Sequence, residues 1–444
     1  MLSTLRHPVF ARLFAAQVVA LLGTGLLTIA LALLAYDIAG DRAGTVLGTA
    51  LTLKMVAYVG LSPVLAAALG HLPRKAVLVG ADLIRASVAL MLPFIDAVWQ
   101  IYVLIFVLQA ASASFTPAFQ ATIPDVLRDE ADYTNALSLS RLAYDMENLL
   151  SPTLAGLALL VMSYSALFLG TVAGFLVSAA LIVSAALPPR VADAQRPFRQ
   201  RVLRGARIYL ATPRLRGLLA LNMAVAAVVA FVLVDTVVLV RGRFGGGEGA
   251  VALAMAAFGA GSMIAALALP GVLKRVTDRK VMLSGGAGLA LLGFGFAAVL
   301  ADAGSGPGRG LLLAVWAGLG FCNAAVMTPS GRLLRRSAHE ADRAAIFTAQ
   351  FALSHACWLL AYPAAGWLGP WLGLAATLAV LSTVAVAAVL VARRVWPAGS
   401  SSAIAHDHPD LPGNHPHLRD YGGNRRHSHE IVIDDEHWRW PSRG

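Results

Sequence analysis

From Val9 to Val395 the chain alternates apolar stretches of about 20 residues with short polar connections. A helix rises about 1.5 Å per residue, so each stretch can cross a ~30 Å hydrocarbon layer while satisfying its own backbone hydrogen bonds. The pattern predicts twelve spanning helices, at 10–36, 44–69, 76–95, 99–121, 136–160, 164–187, 216–240, 249–273, 280–301, 309–330, 343–367 and 370–394. That is an all-α polytopic membrane protein. The first long apolar segment lacks a small-residue cleavage site, so it reads as a retained span and not as a removed leader.

The connections fall into two sets. One carries Arg6 and Arg12, Arg74 and Lys75, Arg128, a long central loop, Lys274, Arg275, Arg279 and Lys280, Arg332, Arg335 and Arg336, and Arg393 and Arg394. The other holds little beyond Arg42, Arg241, Arg243 and Arg309. Lys and Arg accumulate in cytoplasmic loops, which puts both termini and the central loop in the cytoplasm. Four lysines against 31 arginines, with abundant alanine, glycine and leucine, point to a bacterial source and hence to its inner membrane. A chain that is 58% hydrophobic and 13% charged cannot cover its apolar surface in water at 444 residues, so lipid is its solvent. Topology accounts for the net charge of +11, and no nucleic-acid partner is expected. Cys322 and Cys357 lie inside apolar segments, which excludes a disulfide framework and a Cys-rich zinc module.

The two halves repeat. Arg74 and Lys75 match Arg279 and Lys280; Phe115-Thr116-Pro117 matches Met327-Thr328-Pro329; Glu130-Ala131-Asp132 recurs as Glu340-Ala341-Asp342; Pro152 and Gly156 correspond to Pro363 and Gly366. All offsets lie between 205 and 212 residues. The expected organisation is a six-helix bundle over 1–187, a basic linker over 188–215, a second bundle over 216–396 and a tail over 397–444. Between Pro188 and Arg216 there are eight arginines and one acid, Asp193, and the part from Phe198 to Leu210 is suited to lie on anionic lipid. Two six-helix units in the same orientation form a parallel repeat, whose substrate site is expected at their interface near mid-membrane.

Over about 385 of the 444 positions these residues resemble the major facilitator superfamily, and within it the bacterial exporters that include siderophore exporters and nickel-resistance proteins. The likeness is carried by the run Phe115 to Asp125, by Asn135-Ala136-Leu137, and by Ser151-Pro152 with Gly156. The chain departs from the pattern at Ser151, where the exporter signature has glycine, and at Gly70, where the loop before the basic pair normally has aspartate. The resemblance implies the major facilitator fold, a cavity lined by helices one, four, seven and ten, alternating access, and proton-driven export. The chain is expected to act as a monomer, with the bilayer, protons and a small-molecule or metal-ion cargo as its partners. No nucleotide-binding glycine loop, His-Glu-x-x-His run or nucleophile motif is present, so the chain is not expected to be an enzyme.

An ionisable group in hydrocarbon costs at least ~2.5 kcal/mol and needs a partner or a wet cavity. Lys54 in the second span is either a coupling group or a snorkelling lysine. Asp235, the acid of the seventh span, either exchanges a proton or pairs with Arg241 or Arg243. Asp82 and Arg85, three apart on one helix face, suit an internal ion pair or a gating contact, and the pairs Arg74-Lys75 and Arg279-Lys280 belong to the gate loops. Arg141 and Asp145 can compensate each other, leaving Glu147 for coupling, and His355, at the repeat position of Asp145, suits proton relay. Gln17, Thr24, Thr28, Gln109, Ser112, Asn222, Cys322 and Asn323 are uncharged cavity candidates.

Beyond Pro397 the chemistry changes. Seven of the eleven histidines fall in the last 39 residues: His406, His408, His415, His417, His427, His429 and His437, six of them in three His-x-His pairs. In extended chain such a pair presents two imidazoles to one ion, and imidazole suits nickel, copper and zinc. Proline, glycine and asparagine between the pairs predict a disordered segment that folds, if at all, on binding a divalent metal, nickel among the candidates. Nickel-resistance exporters of this branch are similar in carrying a His-rich end after helix twelve. A membrane-anchored metal sensor is the alternative class, but one or two spans would serve to anchor it.

Overall fold

The computed structural model describes residues 4–39, 43–159, 163–188, 197–245, 248–302, 308–398, 404–407, 416–420 and 425–440. The helices are α1 (Pro8–Ala39), α2 (Ala43–Val56), α3 (Ser62–Ala68), α4 (Arg74–Met91), α5 (Val98–Val126), α6 (Glu130–Leu159) and α7 (Tyr164–Ser184), then α8 (Phe198–Ala211) in the linker. The second half holds α9 (Pro213–Gly242), α10 (Glu248–Val272), α11 (Asp278–Ala301), α12 (Arg309–Met327), α13 (Ser330–Arg336), α14 (Arg343–Leu372) and α15 (Leu374–Val395). The tail carries β1 (Ile404–Asp407), α16 (Pro416–Asp420) and β2 (Arg426–His429).

Eleven spans among the described residues are long and apolar enough to cross a membrane. The remaining long helix, α6, has 30 residues but carries Glu130, Asp132, Arg141, Asp145 and Glu147. Two spans are less regular than their hydropathy predicts. The second is α2 and α3 joined by a π-helical turn over Ala57–Leu61. The tenth stops at Met327, where Thr328-Pro329 interrupts the ladder before α13 begins.

The duplication is visible in the packing. In the first half α1 packs on α7, α7 on α4 and α4 on α5; in the second α9 packs on α15, α15 on α11 and α11 on α12. The halves meet along α6 against α10, and along α14 against α2, the π turn, α3 and α5. Linker helix α8 does not simply lie on lipid. Its Gly205, Ile208 and Tyr209 are buried, the Tyr209 hydroxyl donates to Gln350 of α14, and α8 also touches α3. Phe198, Leu203 and Leu210 remain exposed on its other side. Phe94, Trp99, Trp367 and Trp371 are exposed near helix ends, the placement of an interfacial aromatic belt.

Helices α10 and α12 approach closely because glycine lines their contact. A Cβ at Gly320 would collide with the Phe258 carbonyl, and one at Gly261 with that of Ala317, whereas Gly310 in the same α12 faces open space. Gly320→Val is therefore expected to destabilise the protein by about 1–3 kcal/mol or more, and Gly310→Val to leave it near wild type. Thermal unfolding of the two variants in one detergent checks this; equal melting temperatures would show that the close approach is not needed.

Candidate transport site and its gate

The face that carries the linker and the tail is laced by arginine and carboxylate pairs. Asp125, near the C-terminus of α5, is only 2% exposed in its side chain and pairs with Arg74 of its own half and Arg343, the first residue of α14 in the other. Glu130, the first residue of α6, pairs with Arg332 at 2.8 Å and with Arg336, both on α13. Those two arginines also reach Asp278, the first residue of α11, at 3.2 and 3.3 Å. Arg332 donates to Thr134 at 3.0 Å, and Arg335 donates to the Arg128 carbonyl. Glu130 and Asp278 suit helix N-termini, where backbone N–H groups and the dipole favour negative charge. The helix break at Pro329 creates the turn that presents the arginines.

Of the basic pairs singled out in the sequence, only Arg74 joins this network. Lys75 donates to the Val183 carbonyl at 2.8 Å, Arg279 to those of Trp396 and Arg393 at 2.7 and 3.3 Å, and Lys280 is exposed. Arg279 therefore ties α11 to the end of α15 within one half. Asp82 and Arg85 form an internal pair of the first half. Ser178 donates to Asp82 at 2.7 Å, and the Arg85 guanidinium lies over Phe115 and Phe175, 4.2 and 4.6 Å from their centroids.

A second meeting of the halves lies deeper. Tyr58, in the π turn, donates to Gln109 of α5 at 2.8 Å, and its ring packs on Phe351 and His355 of α14, each centroid 4.7 Å away. The Lys54 ammonium sits 5.6 Å from the same Tyr58 centroid. His355 is 12 residues into α14, ~18 Å from the gate end and so near mid-membrane. Its Nδ1 lies 2.7 Å from the Phe351 carbonyl, which can only accept, so Nδ1 carries hydrogen and Nε2 is the basic nitrogen. The cluster gathers Lys54, Gln109 and His355 from the sequence candidates and adds Tyr58 and Phe351, which were missed. Neither hydropathy nor spacing signals them; the π turn, a feature frequent at functional sites, does so only in three dimensions.

The other candidates lie elsewhere. Gln17 accepts from Ser140 at 3.0 Å within the first half, while Arg141 of α6 donates to Ser262 of α10 at 2.9 Å, across the halves. Thr24, Thr28 and Ser112 donate to carbonyls of their own helices. Asn222 and Asn323 are buried, and among the described residues neither amide atom of Asn222 has a hydrogen-bond partner. Asp235 is buried against Gly369, 14 residues beyond His355 on α14 and thus ~21 Å along the helix, far from the central cluster. The side chains of Asp145 and Glu147 lie outside the described residues.

Within the tail the structure describes residues 404–407, 416–420 and 425–440. β1 and β2 pair antiparallel with His406 opposite His427, and Leu418, Ile431 and Ile433 are buried. The described part of the tail docks on the linker helix and the second half: Glu430 pairs with Arg214 at 3.0 Å, Asp435 with Arg204 of α8 at 2.7 Å, and Asp434 with His339 at 3.2 Å. Arg204 also grips Asp342, the residue before Arg343. Nitrogens of His406, His417, His429 and His437 lie within 4.8 Å of one another. Among the described residues the cluster draws its rings from separate segments, His406 from β1, His417 from α16 and His429 from β2, and adds His437, which stands outside the His-x-His pairs. His408 and His415 lie outside the described residues, and His427 faces His417, Nε2 to Nε2, at 3.0 Å. Desolvation, with the neighbouring imidazoles, pushes His417 down to about 4. Burial alone would raise Asp434, but hydrogen bonds from His339 and His437 hold it below the usual carboxylate range.

Comparison with known proteins agrees with this architecture. The human organic anion transporter MFSD10 (TETRAN) superposes with a TM-score of 0.70 at 13% identity, over 87% of this chain and 99% of that one. A bacterial homologue of the iron transporter ferroportin, in an outward-facing state, gives 0.69 at 17% identity, over 87% and 98%. Macrolide efflux protein A of Streptococcus pyogenes is 24% identical over 184 residues, 40% of this chain and 45% of that protein, so the match spans less than half of its relative. The Major Facilitator Superfamily model matches residues 13–302. With more than half of the chain so matched, on a duplicated helical body of the corresponding fold, this multi-pass membrane protein belongs to the major facilitator superfamily of transporters and is not an enzyme.

Proposed function

We propose that the chain is a proton-coupled exporter of the bacterial inner membrane that works by alternating access, with both termini and the linker in the cytoplasm. The observation that carries this reading is the meeting of Lys54, Tyr58 and Gln109 with Phe351 and His355 at mid-membrane, at the interface of the two halves and inward of a gate of cross-half ion pairs. Rocking of the halves would break the gate and expose the cluster to the basic face. His355 Nε2 is the atom that would take up the proton. Lys54 packs on the same tyrosine ring, so a second positive charge at His355 repels it, and protonation becomes linked to movement of the lysine. The arginine asymmetry supports the orientation. The likeness to a macrolide efflux protein supports export.

For cargo, the histidine-rich tail at the loading face favours a divalent metal such as nickel. A small organic compound is the second reading, favoured by the aromatic surfaces of Tyr58 and Phe351 in the central cluster. Proteoliposomes with an imposed proton gradient separate the two: nickel and a macrolide are offered in turn, and gradient-driven accumulation of one identifies its class. Movement of neither under a gradient would remove the exporter reading for both classes.

His355→Gln is expected to bring gradient-driven transport close to the background of empty liposomes while leaving counterflow exchange of cargo measurable. Gradient-driven rates equal to wild type, at matched protein, would take His355 out of the coupling path.

Asp125→Asn leaves Arg74 and Arg343 facing each other without their buried countercharge, a change of the kind that costs ~3–5 kcal/mol. The basic face should open. Spin labels on cysteines at the exposed positions Ala76 and Lys280, in a background lacking Cys322 and Cys357, should report longer distances than in the parent. An unchanged distribution would show that the gate does not depend on Asp125.

A further inference from the structure

The four clustered imidazoles come from four separate segments, β1, α16, β2 and the turn at His437, so the cluster exists only when the tail is folded. His406 Nε2 and His437 Nε2 are 3.2 Å apart. Tetrahedral coordination with metal–nitrogen bonds of ~2.0–2.1 Å requires neighbouring nitrogens ~3.3 Å apart. The outer nitrogens are oriented as in metal sites. His437 Nδ1 lies 3.0 Å from Asp434, His417 Nδ1 3.3 Å from Glu436, and His429 Nδ1 2.9 Å from the Glu430 carbonyl. Carboxylate and carbonyl oxygens accept the Nδ1 hydrogens, which turns each Nε2 lone pair towards the cluster.

We propose that His406, His417, His429 and His437 form one four-imidazole site for a divalent transition-metal ion such as nickel or zinc, and that its occupancy latches the tail onto the second half beside the gate. A ligand set of imidazoles alone selects nickel, copper or zinc over the hard cations magnesium and calcium. An ion that binds only the folded tail stabilises that fold by RT ln(1 + [L]/Kd), and a two-stranded ribbon of four-residue strands is marginal without such support. The site is joined to the body by short links. Asp434 orients the ligand His437 and reaches His339, while the next residue, Asp435, holds Arg204, which grips Asp342 at the start of α14. Arg343, the following residue, is the second half's hold on Asp125. The latch is independent of the cargo: a chain that exports an organic compound would carry it equally.

The test uses the full-length protein in detergent, stripped with a chelator and titrated calorimetrically with Ni2+ and with Zn2+. One ion per chain is expected, with binding lost in His417→Ala, kept in His408→Ala, and weakened about 10–100-fold in Asp434→Asn, whose carboxylate acts only through His437. Limited proteolysis supplies the second readout: either ion should slow cleavage within 397–444 in wild type and not in His417→Ala. No binding of either ion would overturn the site. Three ions per chain would replace it with independent His-x-His chelation, and binding without protection of the tail would overturn the latch. Transport assays on the same preparations keep these outcomes separate from the exporter reading.

Discussion

A charge inside hydrocarbon has to be matched within a few ångström or moved to water, and the placement of charged side chains in this protein follows from that constraint. Asp82 and Arg85 illustrate the first solution: ion pair, serine hydroxyl and two aromatic faces enclose both charges within one half. The arginines of the gate illustrate the second, gathered at one face where water and helix N-termini can serve them. Backbone groups obey the same rule, which is why the irregular turns at Ala57–Leu61 and Thr328-Pro329 are enclosed by neighbouring helices or placed at a membrane face.

The gate is asymmetric in a way the duplication does not anticipate. Among the described residues, both carboxylates that cross the interface, Asp125 and Glu130, belong to the first half, and the arginines that meet them, Arg332, Arg336 and Arg343, belong to the second. Opening would not strand every charge. Arg74 stays with Asp125, and Arg332 and Arg336 stay with Asp278, so each half keeps an internal partner when the halves separate. An ion-pair lock whose members are all buried and exclusive would cost several kcal/mol per pair to break, too much for a carrier that must cycle. Retained partners lower that cost. The aspartate missing at Gly70 is consistent with this division, because Asp125 supplies the first half's carboxylate from a different helix.

The described residues of the tail pack against the rest of the chain through a few apolar and charged contacts. Its own apolar content is small, but Ile433 joins the core of the second half and Trp440 packs against it, while three carboxylates meet arginine or histidine on the body. The second half provides the surface that the tail by itself lacks. Linker helix α8 is held by the same elements, so linker, tail and the start of α14 form one assembly at the gate face.

The sequence by itself determined the span pattern, the parallel repeat and the basic face with its arginine-rich linker, because hydropathy over 20 residues and the division of arginine are local properties that lipid enforces segment by segment. It also brought Lys54, Gln109 and His355 to notice, since polar groups in apolar runs are conspicuous. It did not reveal Tyr58 and Phe351, whose aromatic character is ordinary in a membrane helix, nor the gate acids Asp125, Glu130 and Asp278, which look like surface charges at helix ends. Asp235 reads in the sequence either as a proton-exchanging acid or as a partner of Arg241 or Arg243, and the structure places it far from the cluster along α14, because helix number says nothing of depth. The pairing of histidines followed the same logic. Neighbours in the chain place two imidazoles within reach of one ion, and only the tertiary structure, by bringing His406 and His437 together across a separation of 31 positions, gathers rings from separate segments of the tail. Which residues meet across a packed interface is decided by the whole fold, since no local rule relates side chains separated by half a chain.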